Sequence, residues 1–247
     1  MIRIALNIFP YLGLLILPAS IAFGQALPES DFLPQARSQA ILLYEDAMTR
    51  QFGLYNGAEY NPYREVNNDH PYFESEYWED GVITYYGERY DSVPMQYDLL
   101  NDLLVIEHYD QRGFEAEVLL HSEKVDSFHL LGHDFFHLAA DTAGVLGLRS
   151  GFYDLLYDGE HKVFCKRRKM VKEQIESGEV RVNFLVRESY YLLKDGQVHT
   201  LKNKGSVLKA LPDKKRALNQ YVRSEVRDFR DKERLFVDLV RYYDSIE

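Results

Sequence analysis

The chain has one cysteine in 247 residues, Cys165. A lone thiol cannot cross-link a fold, so stability has to come from burial rather than disulfides. There is also a single tryptophan, Trp78. Gly-x-Gly-x-x-Gly and P-loop motifs are missing, and so are His-Glu-x-x-His and Gly-x-Ser-x-Gly. These absences remove the best-marked routes to nucleotide binding, zinc peptidase chemistry and serine hydrolysis. Internal repeats, low-complexity tracts and Gly/Ser linkers are absent too, so one domain is the simplest organisation. Carboxylates are so numerous that no glycosidase-like acid pair stands out.

The N-terminus is apolar. Arg3 precedes the run IALNIFPYLGLLILP (residues 4–18), and Ala22-Phe23-Gly24 follows with small residues at two positions. This pattern predicts a secretory signal peptide, residues 1–24, cleaved after Gly24. The run is shorter than the roughly 20 residues of a membrane span, and prolines interrupt it. No later segment is apolar enough to span, so the exported chain is expected in the periplasm or associated with the outer membrane. Nucleic acid is not an expected partner of such a protein. An envelope protein, a glycan or a lipid is.

Charge divides unevenly. Residues 25–160 hold 26 acidic and 7 basic side chains, and residues 161–247 hold 13 and 21. Two halves that pack together and offset each other account for this most simply.

Residues 34–53 show helical spacing of Ala40, Leu43, Tyr44, Ala47 and Met48. Residues 55–80 form an aromatic, Asn-rich, acidic stretch, read as an ordered loop. From Val82 to about residue 202 the period is two, with turns expected near Asp110–Gly113, Asp158-Gly159 and Asp195-Gly196. Helical spacing returns over 206–246, with Ser206, Asp213 and Asp231 as N-cap candidates. The predicted class is α+β: a curved antiparallel sheet or partial barrel of hairpins, with an N-terminal helix and a C-terminal helix pair.

Four places carry candidate chemistry. HLLGHDFFHL sets His129, His133 and His137 at i, i+4, i+8. Gly132 and three phenylalanines nearby disfavour a helix. A continuous strand would part the outer two by about 26 Å. A turn at Gly132-His133-Asp134 would bring His129 opposite His137, with Phe128 and Leu130 facing Phe136 and Leu138. That leaves a two-His metal site as the sharp reading and a polar strand face as the bland one.

The aromatic stretch offers Tyr55, Tyr60, Tyr63, His70, Tyr72, Tyr77 and Trp78 among amides and carboxylates. Such a set suits a polar ligand with an apolar face, such as a sugar, or a protein interface. It equally suits rings that cap the end or edge of a sheet. Cys165 lies in FCKRRK, where cations would activate a thiol, although a buried strand residue is the plainer reading. Finally, Lys202, Lys204, Lys209, Lys214, Lys215 and Arg216 could face an anionic surface, or form the wet side of helices.

Several stretches together carry a family likeness: YDGEHKVFCKRRK, YYLLKDGQVHTLKNKGSVLKALPDKKRALNQYV and RLFVDLVRYYDS, with NGAEYNPY and HPYF after the apolar N-terminus. In these the chain resembles uncharacterised exported proteins of Bacteroidetes-type bacteria. The resemblance implies a Gram-negative envelope location and no activity.

The sequence therefore points to a non-enzymatic periplasmic or envelope-associated binding module that needs no cofactor, with 55–78 as its recognition surface. Two rivals stand beside it. One is a carrier of hydrophobic ligands inside a half-barrel cavity. The other is a metal-dependent hydrolase built on the His129–His137 segment.

Overall fold

The computed structural model describes residues 37, 39–41, 53–55, 57–63, 69–109, 115–176, 179–225 and 230–246. The segment expected to be a signal peptide, most of the helix expected over 34–53 and the turn expected at Asp110–Gly113 lie outside them. The chain divides into two compact units, Met1–Ala47 and Met48–Glu247. The described residues of the first, 37 and 39–41, are helical. All that follows concerns the second.

Eleven strands make one open antiparallel sheet: β1 Ala58–Glu59, β2 Glu79–Tyr85, β3 Glu88–Asp98, β4 Leu103–Tyr109, β5 Glu115–Leu119, β6 Val125–Leu130, β7 His133–Leu138, β8 Gly151–Asp158, β9 Lys162–Glu176, β10 Glu179–Lys194 and β11 Gln197–Leu201. Their order is β1-β5-β4-β3-β2-β6-β7-β8-β9-β10-β11. Among the described residues they are accompanied by helices α1 Ala140–Val145, α2 Lys204–Ala210, α3 Lys215–Glu225 and α4 Lys232–Ser245. Among the described residues no helix is long and apolar enough to cross a membrane.

Alternation along the strands sorts side chains between the two faces. Ile83, Tyr85, Met95, Tyr97, Leu104, Ile106, Phe128, Phe135 and Phe152 fill one face of β2–β8. One extra residue adjusts this set. Thr84 pairs with Ser127 and Tyr85 with Val125, so the bulge at Asp126 turns Val125 inward beside Phe128. Edge-to-face contacts of Tyr97 with Phe128, Phe135 and Phe152 close the packing. This face is filled with rings.

A second core lies where Val163, Cys165, Tyr190, Leu192 and Leu201 meet α2–α4, with Leu218, Phe236, Leu239 and Val240 fully enclosed. A third, smaller one lies on the opposite side of β7–β10. There Leu138, Tyr153 and Phe164 are covered by Ala143 of α1. Strands β8 and β9 are thus covered on both faces, which explains why GFYDLLYD and KVFCKRR read as nearly continuous buried runs. The C-terminal helices begin partly as predicted. Asp231 caps α4 by accepting from the backbone of Arg234. For α2 the cap is Asn203, with Ser206 closing a capping box from the third helical position, so Ser206 is not itself the N-cap.

Candidate functional site

A cleft of about 540 Å³ opens at the β1–β5–β4 edge. Ala58 and Glu59 pair with Leu119 and Val118, and the Tyr60 backbone N–H donates to the Glu117 carbonyl at 3.0 Å. Tyr60 therefore enters at a fixed place. Its hydroxyl donates to Asp98 Oδ2 at 2.9 Å. Asp98 is wholly buried and also accepts from the backbones of Leu100 and Asn101 and the Asn101 side-chain amide. Burial and the neighbouring Asp98 carboxylate push the Tyr60 phenol far above its ordinary pKa. It is a rigid, neutral wall.

Trp78, half-buried just before β2, provides a second ring. Three carboxylates complete the lining: Glu59, Glu107 and Glu117. Glu107 and Glu117 sit directly opposite on β4 and β5. Like charges so placed repel, and among the described residues no cation pairs with any of the three.

Of the seven aromatic-stretch residues, only Tyr60 and Trp78 line this cleft. The others serve elsewhere. Tyr55 stacks on His108 at 3.8 Å, and Tyr63 meets Phe184 edge-on. His70 lies over Tyr72, and its carbonyl accepts from Lys169 Nζ. Burial, with the nearby Lys169 ammonium, lowers the His70 pKa. Tyr72 bridges to Asp98 on β3. Tyr77 is 71% exposed outside the cleft. Sequence reasoning passed over the three glutamates. Glu107 and Glu117 are marked only by alternation in β4 and β5, and Glu59 only by its place in the aromatic stretch.

The histidine segment folds differently from expectation. The turn is Leu131-Gly132, both at positive φ (52° and 83°), one residue earlier than predicted. His129 therefore faces Asp134, and Phe128 faces Phe135. Phe136 and Leu138 move to the other side of the sheet. Because Asp134 and His137 are three residues apart on a strand, His129 and His137 lie on opposite faces, and one ion cannot bridge them. His129 holds an exposed contact with Asp134 at 2.7 Å. His137 packs edge-on against Phe152, and burial lowers its pKa.

His133 joins a buried polar network that the motifs did not suggest. Its Nδ1 lies 2.9 Å from Asp154 Oδ2, a bond that raises its pKa against the opposing effect of burial. Arg167 reaches the same carboxylate oxygen, Glu188 and Glu233, all at 2.6 Å. Tyr190 donates to Glu188. The guanidinium thus ties β8, β9, β10 and α4 together, where the first and second cores meet. One residue along, Lys166 bonds Asp102 and the Phe152 carbonyl, and Tyr97 donates to the other Asp102 oxygen. A Cβ at Gly151 would overlap that Asp102 carboxylate, and Gly151 also sits at φ 123°. Cys165 is fully buried, and its thiol is pushed well above the ordinary range by burial, so the activated-thiol reading fails.

Glu160, His161 and Asp244 offer three ligand atoms within 4.8 Å of one another. Asp244 is already engaged, since its two oxygens accept from His161 Nδ1 at 2.6 Å and from its backbone N–H at 3.2 Å. This fits a tie between the β8–β9 turn and α4 better than a metal site. Lys214 similarly donates to the Ile246 carbonyl past the end of α4, which accounts for one member of the basic cluster. A hollow of about 280 Å³ lies on the third-core side, lined by Phe136, Leu138, Leu146, Leu155, Phe164 and Leu193 with Lys162. No protein-family model, curated protein or solved structure matches this chain.

Proposed function

We propose that this chain is a non-enzymatic binding module of the periplasm or cell envelope, taking a polar ligand in the cleft beside Trp78. The observation that carries this reading is the pairing of Trp78 and Tyr60 with three carboxylates that no described cation neutralises. A ring stacks on the flat, apolar face of a sugar, and carboxylates accept from its hydroxyls or amines. A glycan is the ligand class that uses both. Export rests on the apolar run 4–18 with Ala22-Phe23-Gly24, and on the resemblance to Bacteroidetes-type exported proteins.

A glycan array followed by calorimetry tests it. Trp78→Ala should weaken binding by about tenfold, the worth of one stacked ring. Glu107→Gln with Glu117→Gln should weaken it further, while Tyr77→Ala changes it little. Undiminished binding by the first two variants moves recognition elsewhere.

The 280 Å³ apolar hollow supports a second reading, the carrier of hydrophobic ligands, but on the third-core side rather than in the ring-filled first face. Displacement of an environment-sensitive dye by a short fatty acid, abolished by Leu155→Trp, is its test. Dye binding unaffected by that substitution contradicts it.

A further inference from the structure

The long β9–β10 hairpin outruns its neighbours. The two strands pair from Leu193↔Lys162 out to Glu179↔Glu176. Strand β8 registers with β9 only as far as Cys165, and β11 with β10 only back to Tyr190. Beyond those points the hairpin continues as a two-stranded ribbon. A free ribbon is marginal in water, and this one is held by one face. Phe184 and Lys169 lie there, and the Lys169 side chain donates to the His70 carbonyl. Two backbone N–H donors also fasten the ribbon, Lys169 to the Leu99 carbonyl and Phe184 to the Asp69 carboxylate.

The other face carries Arg168 opposite Arg187, Met170 opposite Leu185, and Lys172 opposite Asn183. Both arginines and Lys172 are exposed, and among the described residues none of them meets a carboxylate. Met170 is 46% exposed and Leu185 37%. Ile175 and Val186, also exposed, belong to the Lys169–Phe184 face and not to this one.

We propose that this face docks onto a membrane surface carrying anionic phosphate headgroups. Directly opposed like charges cost stability unless an anion lies between them. A guanidinium fork matches phosphate oxygens. The neighbouring Met170–Leu185 pair adds apolar contact that an amphiphile can use and a soluble polyanion cannot. Residues 25–160, with 26 acidic against 7 basic side chains, are repelled by the same surface. Docking through the ribbon is independent of what the Trp78 cleft binds.

The test is vesicle flotation of the full chain, read as the ratio of partition onto phosphatidylglycerol-containing vesicles to partition onto pure phosphatidylcholine. The ratio cancels the contribution of the apolar N-terminal run. The expected ratio is well above one and collapses at high salt. Arg168→Gln with Arg187→Gln should lower it roughly 10- to 30-fold, at about fivefold per cation. Arg168→Lys with Arg187→Lys should keep most of it, which separates charge from misfolding. Met170→Ser with Leu185→Ser should lower partition onto the anionic vesicles several-fold. Lys202→Gln with Lys204→Gln should change nothing. A ratio near one, or one that survives the paired glutamines, overturns the proposal. So does competition by inorganic polyphosphate with no sensitivity to the Met170 and Leu185 changes, which would assign the ribbon to a soluble polyanion.

Discussion

Arg167 and Arg168 are neighbours in FCKRRK with opposite fates, because a strand sends successive side chains to opposite faces. Arg167 is buried among Asp154, Glu188 and Glu233. Its removal leaves a fully buried Asp154 charge without its main partner. Arg167→Gln should therefore cost about 3–5 kcal/mol in urea unfolding, whereas Arg168→Gln should stay within about 0.5 kcal/mol. Equal effects would show that the guanidinium is not an organising centre. His133 adds a pH dependence. The Asp154 bond raises its folded pKa, so its contribution is fully present below about pH 6.5 and fades as pH rises through the raised value. His70 and His137, lowered chiefly by burial, act the other way, and their contribution is lost as pH falls. Replacing His133 by Asn should flatten the decline in urea midpoint above about pH 6.5. Parallel curves for the two proteins would contradict the assignment.

At the scale of elements, the β6–β7 hairpin shows a conflict between local preference and packing. Leu131 occupies a left-handed position that favours Asn or Gly. Leu131→Asn should add about 1 kcal/mol with an unchanged urea slope, and no gain would mean that the Leu side chain stabilises in its own right. This turn also shows what was legible in the sequence. Asp195-Gly196 announced itself, and both residues do sit at positive φ. Leu131-Gly132 did not, since leucine carries no turn signal. The resulting three-residue shift in pairing, with His129 opposite Asp134 rather than His137, sent Phe136, Leu138 and His137 to the faces opposite those expected. Antiparallel pairing and the C-terminal helices followed from periodicity. The extent of the β9–β10 hairpin did not, because its inward face carries Lys169 as well as Phe184, so burial there is not matched by an apolar alternation in the sequence.

At the scale of the whole chain, the acidic and basic halves meet through specific pairs as well as through net charge. Asp102 with Lys166 and Asp154 with Arg167 both cross between them. Those pairs are long-range in sequence, which is why composition predicted their existence but could not choose the partners. The Trp78 cleft was half legible for the same reason. The rings were visible as a cluster, while Glu59, Glu107 and Glu117 converge only after β1, β4 and β5 align. Because Trp78 is the chain's only tryptophan, its fluorescence reports on that cleft alone. Titration with the glycan selected on the array should shift or quench the emission saturably, and Glu107→Gln with Glu117→Gln should move the midpoint to higher concentration. Saturable glycan binding that leaves the Trp78 emission unchanged would contradict the account.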